Sequence, residues 1–167
     1  MKGILIYLLC EVCAGVVLAL LLRRFVCALV LVKGRSMLDT LANHELMLML
    51  RYGLFGKPRR FDIVICRYPN RKQLFVKRII GMPGERISME EDVVYINGEI
   101  LQEPFERRRS MRRVEEICLG EGEYFVMGDN RTCSVDSRKI GPITEKMLLG
   151  RAKWVLFPLK RRRRIDV

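Results

Sequence analysis

The feature that most constrains this sequence is an apolar run at its N-terminus. From residue 3 to residue 22 nearly every side chain is apolar or small, and Glu11 carries the only charge. A helix of about 20 residues, rising about 1.5 Å per residue, spans about 30 Å, the hydrocarbon thickness of a bilayer. Buried core helices seldom run this long without a polar face, and the apolar part of a cleavable signal peptide usually spans about 7–15 residues. We therefore expect residues 1–24 to form an uncleaved membrane anchor.

The remaining residues, 25–167, predict one domain of mainly β structure. Runs rich in Val, Ile, Leu and Phe recur between turn residues, which is typical of strands. We expect strands at 25–32, 61–66, 73–80, 93–96, 99–101, 123–127 and 153–157. Residues 45–52 suit a helix or a strand. Asn97-Gly98 predicts a hairpin with a type I′ turn, because both residues accept positive φ. Thr144 is a candidate cap for one helical turn that ends at Gly150.

Basic residues dominate the charge, with 31 Lys and Arg against 19 Asp and Glu and a net charge of +12. We expect the highly charged residues 103–116 to be a solvated insertion between strands. Residues 160–164 are five consecutive cations. Such a run is a solvated terminus, a nucleic-acid contact, or a contact to anionic lipid headgroups, where each cation contributes about 1 kcal/mol. Because an anchor precedes the domain, we favour lipid over nucleic acid and expect no nucleic-acid partner.

Cysteine and histidine do not predict a metal site. Three of the six cysteines lie in or beside the anchor, and the domain holds Cys66, Cys118 and Cys133 without a Cys-x-x-Cys pair. The only histidine, His44, has no obvious companion ligand in the sequence. We therefore expect neither a metal nor a cofactor.

A lysine in a predicted strand is one candidate for chemistry. Lys77 shares a strand face with Phe75 and Ile79, because alternate side chains of a strand point to the same side. A lysine on such a face either snorkels to water or is desolvated, which lowers its pKa and leaves a neutral amine that accepts a proton.

Two polar segments are further candidates. Ser36 follows Gly34-Arg35, a position at which serine is most often a turn residue. The segment 128–138 is rich in polar residues after a strand, and it is either an ordinary turn or part of a site.

These segments, in this order, resemble one protein family. They are Gly34-Arg35-Ser36-Met37 with Thr40-Leu41, then KRIIGMPGE at 77–85, then Gly128-Asp129-Asn130-Arg131 with Ser134-x-Asp136-Ser137-Arg138 and Gly141-Pro142. Together they resemble the successive boxes of bacterial type I signal peptidases, in the compact form of Gram-positive bacteria. The resemblance extends from the anchor to residues 157–159.

The resemblance implies a fold, a site and an activity. The fold is a coiled β-sheet domain, shared with self-cleaving repressors, behind one transmembrane helix. The activity is removal of signal peptides from exported preproteins, with small residues at positions −1 and −3. Ser36 matches the nucleophile, Lys77 the general base and Ser134 the lysine-orienting hydroxyl. Asp136 and Arg138 match a structural ion pair, and the Ser36 backbone N–H matches an oxyanion donor.

Two positions depart from the family pattern. Some relatives place a serine where this chain has Gly34, so we expect a backbone group or water as the second oxyanion donor. Asp39 stands where proline is usual. Proline would fix φ near about −65°, so aspartate is expected to loosen this turn. If it lies close to Lys77, its charge would also oppose a lowered lysine pKa.

The charge pattern and the resemblance disagree about orientation. The cations Arg23, Arg24, Lys33 and Arg35 follow the anchor, whereas Lys2 and the amino terminus precede it. The positive-inside rule alone would put the domain in the cytoplasm. The resemblance implies an extracytoplasmic domain, which we expect because preprotein cleavage sites emerge on that face.

Two alternatives belong to other classes. A non-catalytic signal-peptidase-like assembly factor, for example for pili, would lack the serine or the lysine, but this chain keeps both Ser36 and Lys77. A self-cleaving repressor would need a DNA-binding helical domain and a cytosolic chain, whereas this N-terminus predicts a membrane span.

Overall fold

The computed structural model describes residues 2–53, 55–71 and 73–165. Helix α1, Lys2–Leu21, continues into a short π-helical turn, Leu22–Val26. Residues 3–21 of α1 are exposed, and within the described residues one helix, Gly3–Val26, is long and apolar enough to cross a bilayer. The helical segment therefore runs two residues beyond the expected boundary at residue 24.

The strands that follow are β1 Cys27–Leu31, β2 Leu46–Arg51, β3 Ile63–Arg67, β4 Leu74–Gly81, β5 Arg86–Glu90, β6 Val93–Ile96, β7 Glu99–Ile100, β8 Val114–Cys118, β9 Glu123–Met127, β10 Ile143–Thr144, β11 Leu148–Phe157 and β12 Arg163–Arg164. A short helix, α2 Ser137–Ile140, precedes β10, and 3-10 turns occupy Glu145–Met147 and Leu159–Arg161. The expected domain of mainly β structure is confirmed.

The strands form two antiparallel sheets. The larger has the order β1-β2-β11-β3-β4-β9-β10, with β12 also beside β11, and the smaller has the order β7-β6-β5-β8. Strand β1 lies at the edge of the larger sheet. Among the residues that the structure describes, only β3 pairs with residues 74–77 of β4, because β9 begins its pairing with β4 at Arg78. Both strands therefore keep unpaired backbone on one side.

In the neighbouring strands β1, β2 and β11, successive side chains point to opposite faces of the sheet, as a two-residue repeat requires. Val30, Met47, Met49 and Val155 face a buried core. On the opposite face, Leu29 of β1 stands directly across from a residue of β2. This alternation explains why the ambiguous segment 45–52 is the strand β2.

The predicted helical stop at Gly150 is wrong. Thr144 makes no side-chain cap, the helical turn is only Glu145–Met147, and β11 already begins at Leu148. A Cβ at Gly150 would collide with the main chain of Leu50 on β2. The glycine thus permits a close approach of two strands.

The hairpin prediction is confirmed, with φ of 53° at Asn97 and 86° at Gly98. The prediction of a solvated insertion at 103–116 is wrong in two respects. Its last residues enter strand β8, and the side chain of Glu103 is only 3% exposed and forms ion pairs with Arg131 and Arg107.

Candidate active site

Ser36 lies where the chain turns after β1. Two apolar side chains that follow, Met37 and Leu41, are buried in the core of the larger sheet. The amide of Leu41 donates a 2.8 Å hydrogen bond to the carbonyl of Met37, which closes the turn. Burial of these two side chains therefore fixes the backbone that carries the Ser36 hydroxyl.

The amine of Lys77 lies beside this hydroxyl. Lys77 Nζ donates a hydrogen bond of 2.7 Å to Ser36 Oγ and one of 3.0 Å to the carbonyl of Val76. Its side chain is only 2% exposed, and Nζ lies 5.8 Å from the centre of the Phe75 ring. The two residues that the sequence predicts as nucleophile and base are therefore in direct contact.

The surroundings lower the pKa of Lys77. Burial is the main cause, because a charged amine loses its hydration there, and the positive charge of Arg138 acts in the same direction. The carboxylates of Asp136 and Asp129 oppose the shift without reversing it. The expected outcome is an amine that loses its proton more easily than an exposed lysine and is able to act as a base.

The carbonyl side of Ser36 is held by the loop after β9. The amide of Asn130 donates a 3.0 Å hydrogen bond to Ser36 O, and Asn130 Nδ2 donates one of 3.0 Å to Arg35 O. A Cβ at Gly128 would lie 2.5 Å from Ser36 O and would also clash with Ser134. This loop therefore packs directly against the nucleophile, and a glycine makes the contact possible.

A buried ion pair supports the same loop. Both oxygens of Asp129 accept hydrogen bonds from Arg78, at 2.9 and 2.7 Å. Asp129 Oδ2 also accepts one of 2.5 Å from the Thr40 hydroxyl, and the guanidinium stacks on Phe105 with 3.9 Å to the ring centre. The sequence patterns do not indicate an individual role for Arg78, Asp129 or Asn130. The available signal was the position of Arg78 next to Lys77 in a buried strand.

Asp136 and Arg138 form the ion pair that the sequence suggested, with hydrogen bonds of 2.9 and 2.8 Å. Asp136 Oδ2 also accepts a 3.0 Å bond from the Gly128 amide. Burial raises the pKa of Asp136, but the hydrogen bonds and charge of Arg138, together with the Gly128 amide, outweigh it and leave the pKa below its usual value. Asp136 is therefore an anion that braces the loop beside Ser36.

Ser134 lies on the same loop, but it does not bond to Lys77 here. Its Oγ is buried and has no hydrogen-bond partner among the described residues. The hydroxyl nevertheless lies close enough to Asp136 to contribute to the lowered pKa of that carboxyl group. Its lysine-orienting role stays a prediction.

The two departures from the family pattern have clear local structures. Gly34 has φ of 99°, and its amide donates a 2.9 Å bond to Asn43 Oδ1. The carboxylate of Asp39 pairs with Arg108, at 3.0 and 3.2 Å, and this pair is half-exposed. The carboxylates that raise the pKa of Lys77 are Asp136 and Asp129. Asp39 is therefore engaged with the charged segment that connects β7 to β8 of the smaller sheet.

A cleft of about 450 Å³ leads to the Ser36 hydroxyl. One wall is formed by residues 29–34 and the other by residues 73–77, with Ser36 and Met37 also lining the cleft. Both walls contain the strand segments whose backbone is unpaired on one side. Such edges accept an extended peptide by main-chain hydrogen bonding. Within 2–53, 55–71 and 73–165 there is no group of three or more His, Cys, Asp or Glu residues that could hold a metal ion.

Comparisons with known proteins agree on one family. A model of the family described as signal peptidase, peptidase S26, matches residues 5–157. The chain is 39% identical over 164 residues to signal peptidase I of Bacillus licheniformis, covering 91% of this chain and 88% of that protein. It is 38% identical over 161 residues to signal peptidase I T of Bacillus subtilis, covering 89% and 83%.

A solved structure supports the fold. The crystal structure of a signal peptidase I from Enterococcus faecalis matches 57% of this chain and 97% of its own, with a TM-score of 0.51 and 32% sequence identity. The family match, the relatives and the curled antiparallel sheet are mutually consistent. The chain therefore belongs to the signal peptidase family, peptidase S26.

Proposed function

We propose that this protein is a membrane-anchored serine endopeptidase that removes signal peptides from exported preproteins, with Ser36 as nucleophile and Lys77 as general base. The family and the apolar helix together indicate a membrane-anchored protein. The observation that carries the catalytic assignment is the 2.7 Å hydrogen bond between Lys77 Nζ and Ser36 Oγ, made by an amine buried from water. A serine hydroxyl is a weak nucleophile until an adjacent base removes its proton.

The reaction is an acyl transfer in two halves. Lys77 Nζ accepts the hydroxyl proton as Ser36 Oγ bonds to the scissile carbonyl carbon, and the Ser36 backbone N–H donates to the oxyanion that forms. The scissile C–N bond then breaks, and Lys77 gives its proton to the leaving amine. A water molecule, deprotonated by Lys77, attacks the resulting ester, and Ser36 recovers its proton as the signal peptide leaves with a free carboxylate.

Three residues are proposed to support this chemistry without taking part in bond changes. The Ser134 hydroxyl, buried on the loop that packs against Ser36, is proposed to orient Lys77 when substrate binds. Asp136 and Arg138 are proposed to hold that loop through their ion pair and the Gly128 amide. We expect Ser134→Ala to slow cleavage less than loss of Ser36 or Lys77, and an equal loss would contradict the orienting role.

We propose that the cleft accepts substrates with small residues at positions −1 and −3. An extended peptide places alternate side chains on one face, so these two positions face the same wall. Apolar residues, among them Val30, Val32 and Phe75, line the cleft. Small substrate side chains therefore suit the limited space beside Ser36.

The outer face of β1, β2 and β11 supports contact of the domain with the bilayer. Leu29, Leu48 and Trp154 stand opposite one another across the three strands, and Leu29 is 62% exposed. This apolar row begins three residues after the span ends at Val26, and Arg164 lies over the Trp154 ring. An apolar face with cations at its rim suits an interface with anionic headgroups.

We propose a single span, with the domain that follows Val26 on the extracytoplasmic face, where preprotein cleavage sites emerge. Protease added to intact spheroplasts should then digest the domain. Digestion only after lysis would reverse this orientation. The alternative of a non-catalytic assembly factor is not favoured, because the serine and the lysine are both present and in contact.

The function is tested with detergent-solubilised protein and a preprotein whose signal peptide ends in Ala-x-Ala. The wild-type protein should release the signal peptide at that site, and Ser36→Ala should fold but lose cleavage by several orders of magnitude. Binding of the preprotein without cleavage, in every lipid and detergent tested, would reject the protease and favour the assembly factor.

A further inference from the structure

The basic segment near the C-terminus is docked onto the domain. Its residues Arg163–Arg164 form β12, which pairs with Trp154 and Val155 of β11. The next residue, Ile165, is buried in the core that also contains Met37 and Leu41, and its amide donates a 2.9 Å bond to Lys153 O. The segment is therefore fixed in place close to the turn that follows the nucleophile.

Arg163 is less exposed than the cations on either side of it. It donates to both oxygens of Glu45, at 2.9 and 3.0 Å. The same Nη2 donates a 2.6 Å bond to the main-chain carbonyl of Thr40. A planar guanidinium with several fixed donors is able to hold a carboxylate and a carbonyl at once, which an ammonium does less well.

Glu45 lies at the far end of the loop of residues 32–45 that carries Ser36. Its side chain is 1% exposed, and its Oε2 also accepts a 3.0 Å bond from the Ala42 amide. Its own carbonyl accepts a 2.8 Å bond from the amide of Val32. Residues on either side of Ser36 are therefore joined at Glu45, and the loop from 32 to 45 is closed at its base.

Thr40 is held from two directions inside this loop. Its hydroxyl donates to Asp129, and its carbonyl accepts from Arg163. The neighbour of Asp129, Asn130, donates to the carbonyl of Ser36. The turn from Ser36 to Thr40 thus lies between the loop after β9 on one side and the C-terminal segment on the other.

We infer that Arg163 is a positioning residue for the nucleophile: by holding Thr40 and Glu45, it fixes the turn that carries Ser36. This inference rests on the proposed function for its catalytic consequence. Positioning matters because reacting groups must be held close to attack geometry, and a displacement of about 1 Å can reduce a rate by about 100-fold.

Replacement of Arg163 should loosen the loop without unfolding the domain. Arg161 Nε also lies 3.2 Å from Glu45 Oε1, so Glu45 keeps a cationic partner in Arg163→Ala. The neighbouring Arg162 is exposed, and Arg162→Ala removes the same charge without touching Thr40 or Glu45. It is the matched control, and Arg163→Lys tests whether charge alone suffices.

The experiment combines hydrogen exchange with kinetics on the full-length protein in detergent. In Arg163→Ala, backbone amides of residues 38–45 should exchange about tenfold faster or more, while the hairpin at 93–100 stays unchanged. With an Ala-x-Ala preprotein, kcat should fall about 10- to 100-fold with little change in KM. Arg163→Lys should give exchange rates and kcat values between those of the wild type and Arg163→Ala. Arg162→Ala should match the wild type in both measurements.

The two readouts separate this inference from the proposed function. The inference is overturned if the amides of residues 38–45 exchange at the same rate in Arg163→Ala and Arg162→Ala. It is also overturned if exchange becomes faster in Arg163→Ala but kcat does not change, because the role of Arg163 would then be only structural. If the wild-type protein cleaves nothing, the proposed function fails. The exchange comparison still decides in that case whether Arg163 holds the loop.

Discussion

Lys77 and Arg78 are consecutive in β4, and both side chains are buried although they leave the strand on opposite faces. Arg78 meets a carboxylate, Asp129, which accepts two hydrogen bonds from it. Lys77 donates hydrogen bonds to the hydroxyl of Ser36 and to the carbonyl of Val76. One strand thus supplies a paired cation that supports the loop after β9 and an amine whose pKa is lowered chiefly by burial.

The lowered pKa of Lys77 predicts the pH dependence of cleavage. A base works in its neutral form, so kcat/KM should rise with pH, with a midpoint below the ordinary lysine value of 10.5. Lys77→Arg should abolish cleavage at every pH in this range, because a guanidinium stays protonated. Steady-state kinetics from pH 6 to 10 measure both. Substantial cleavage by Lys77→Arg would exclude Lys77 as the base.

The same pKa predicts how stability changes with pH. Between the lowered folded value and 10.5, the unfolded chain binds a proton that the folded chain lacks, so this residue makes the protein more stable as pH rises. Lys77→Met removes that contribution. Between pH 7 and pH 10 the wild type should therefore gain stability relative to Lys77→Met, measured as the difference between their denaturation midpoints. A difference that is independent of pH would contradict a lowered folded pKa.

The Arg78–Asp129 pair predicts a large loss of stability when one partner is removed. Their side chains are 2% and 1% exposed, so Asp129→Asn leaves a buried guanidinium without its counter-charge. Such changes cost about 3–5 kcal/mol, to be measured by chemical denaturation in detergent. Asp39→Asn is the control, because Asp39 and Arg108 are half-exposed and surface pairs contribute little. Equal losses in the two variants would refute the structural importance of the buried pair.

Local sequence patterns predicted most of the strands, whereas the family resemblance paired Ser36 with Lys77. The hairpin at Asn97-Gly98 followed from turn chemistry, and the strand face of Lys77 followed from the two-residue repeat. The Gly150 error has a physical reason. Glycine ends helices and also permits close approach of strands, and only the neighbouring Leu50 distinguishes the two roles.

The long-range ion pairs could not be predicted from the sequence. Arg163 and Glu45 are 118 residues apart, and Arg163 lies in a run of cations, where charge ordinarily indicates exposure. Glu103 likewise lies in a charged run but is buried against Arg131. In each case a partner from a distant strand or loop compensates the burial, and a local charge pattern does not identify that partner.

The most direct test of the account is to locate the covalent intermediate. Preprotein is mixed with enzyme, the reaction is stopped with acid within milliseconds, and the adduct is mapped by mass spectrometry of enzyme peptides. We predict an ester that links the signal-peptide carboxyl to Ser36 and that is absent from Ser36→Ala. An adduct on another residue, or cleavage by Ser36→Ala at the wild-type rate, would contradict the assignment of Ser36 and Lys77 as the catalytic pair.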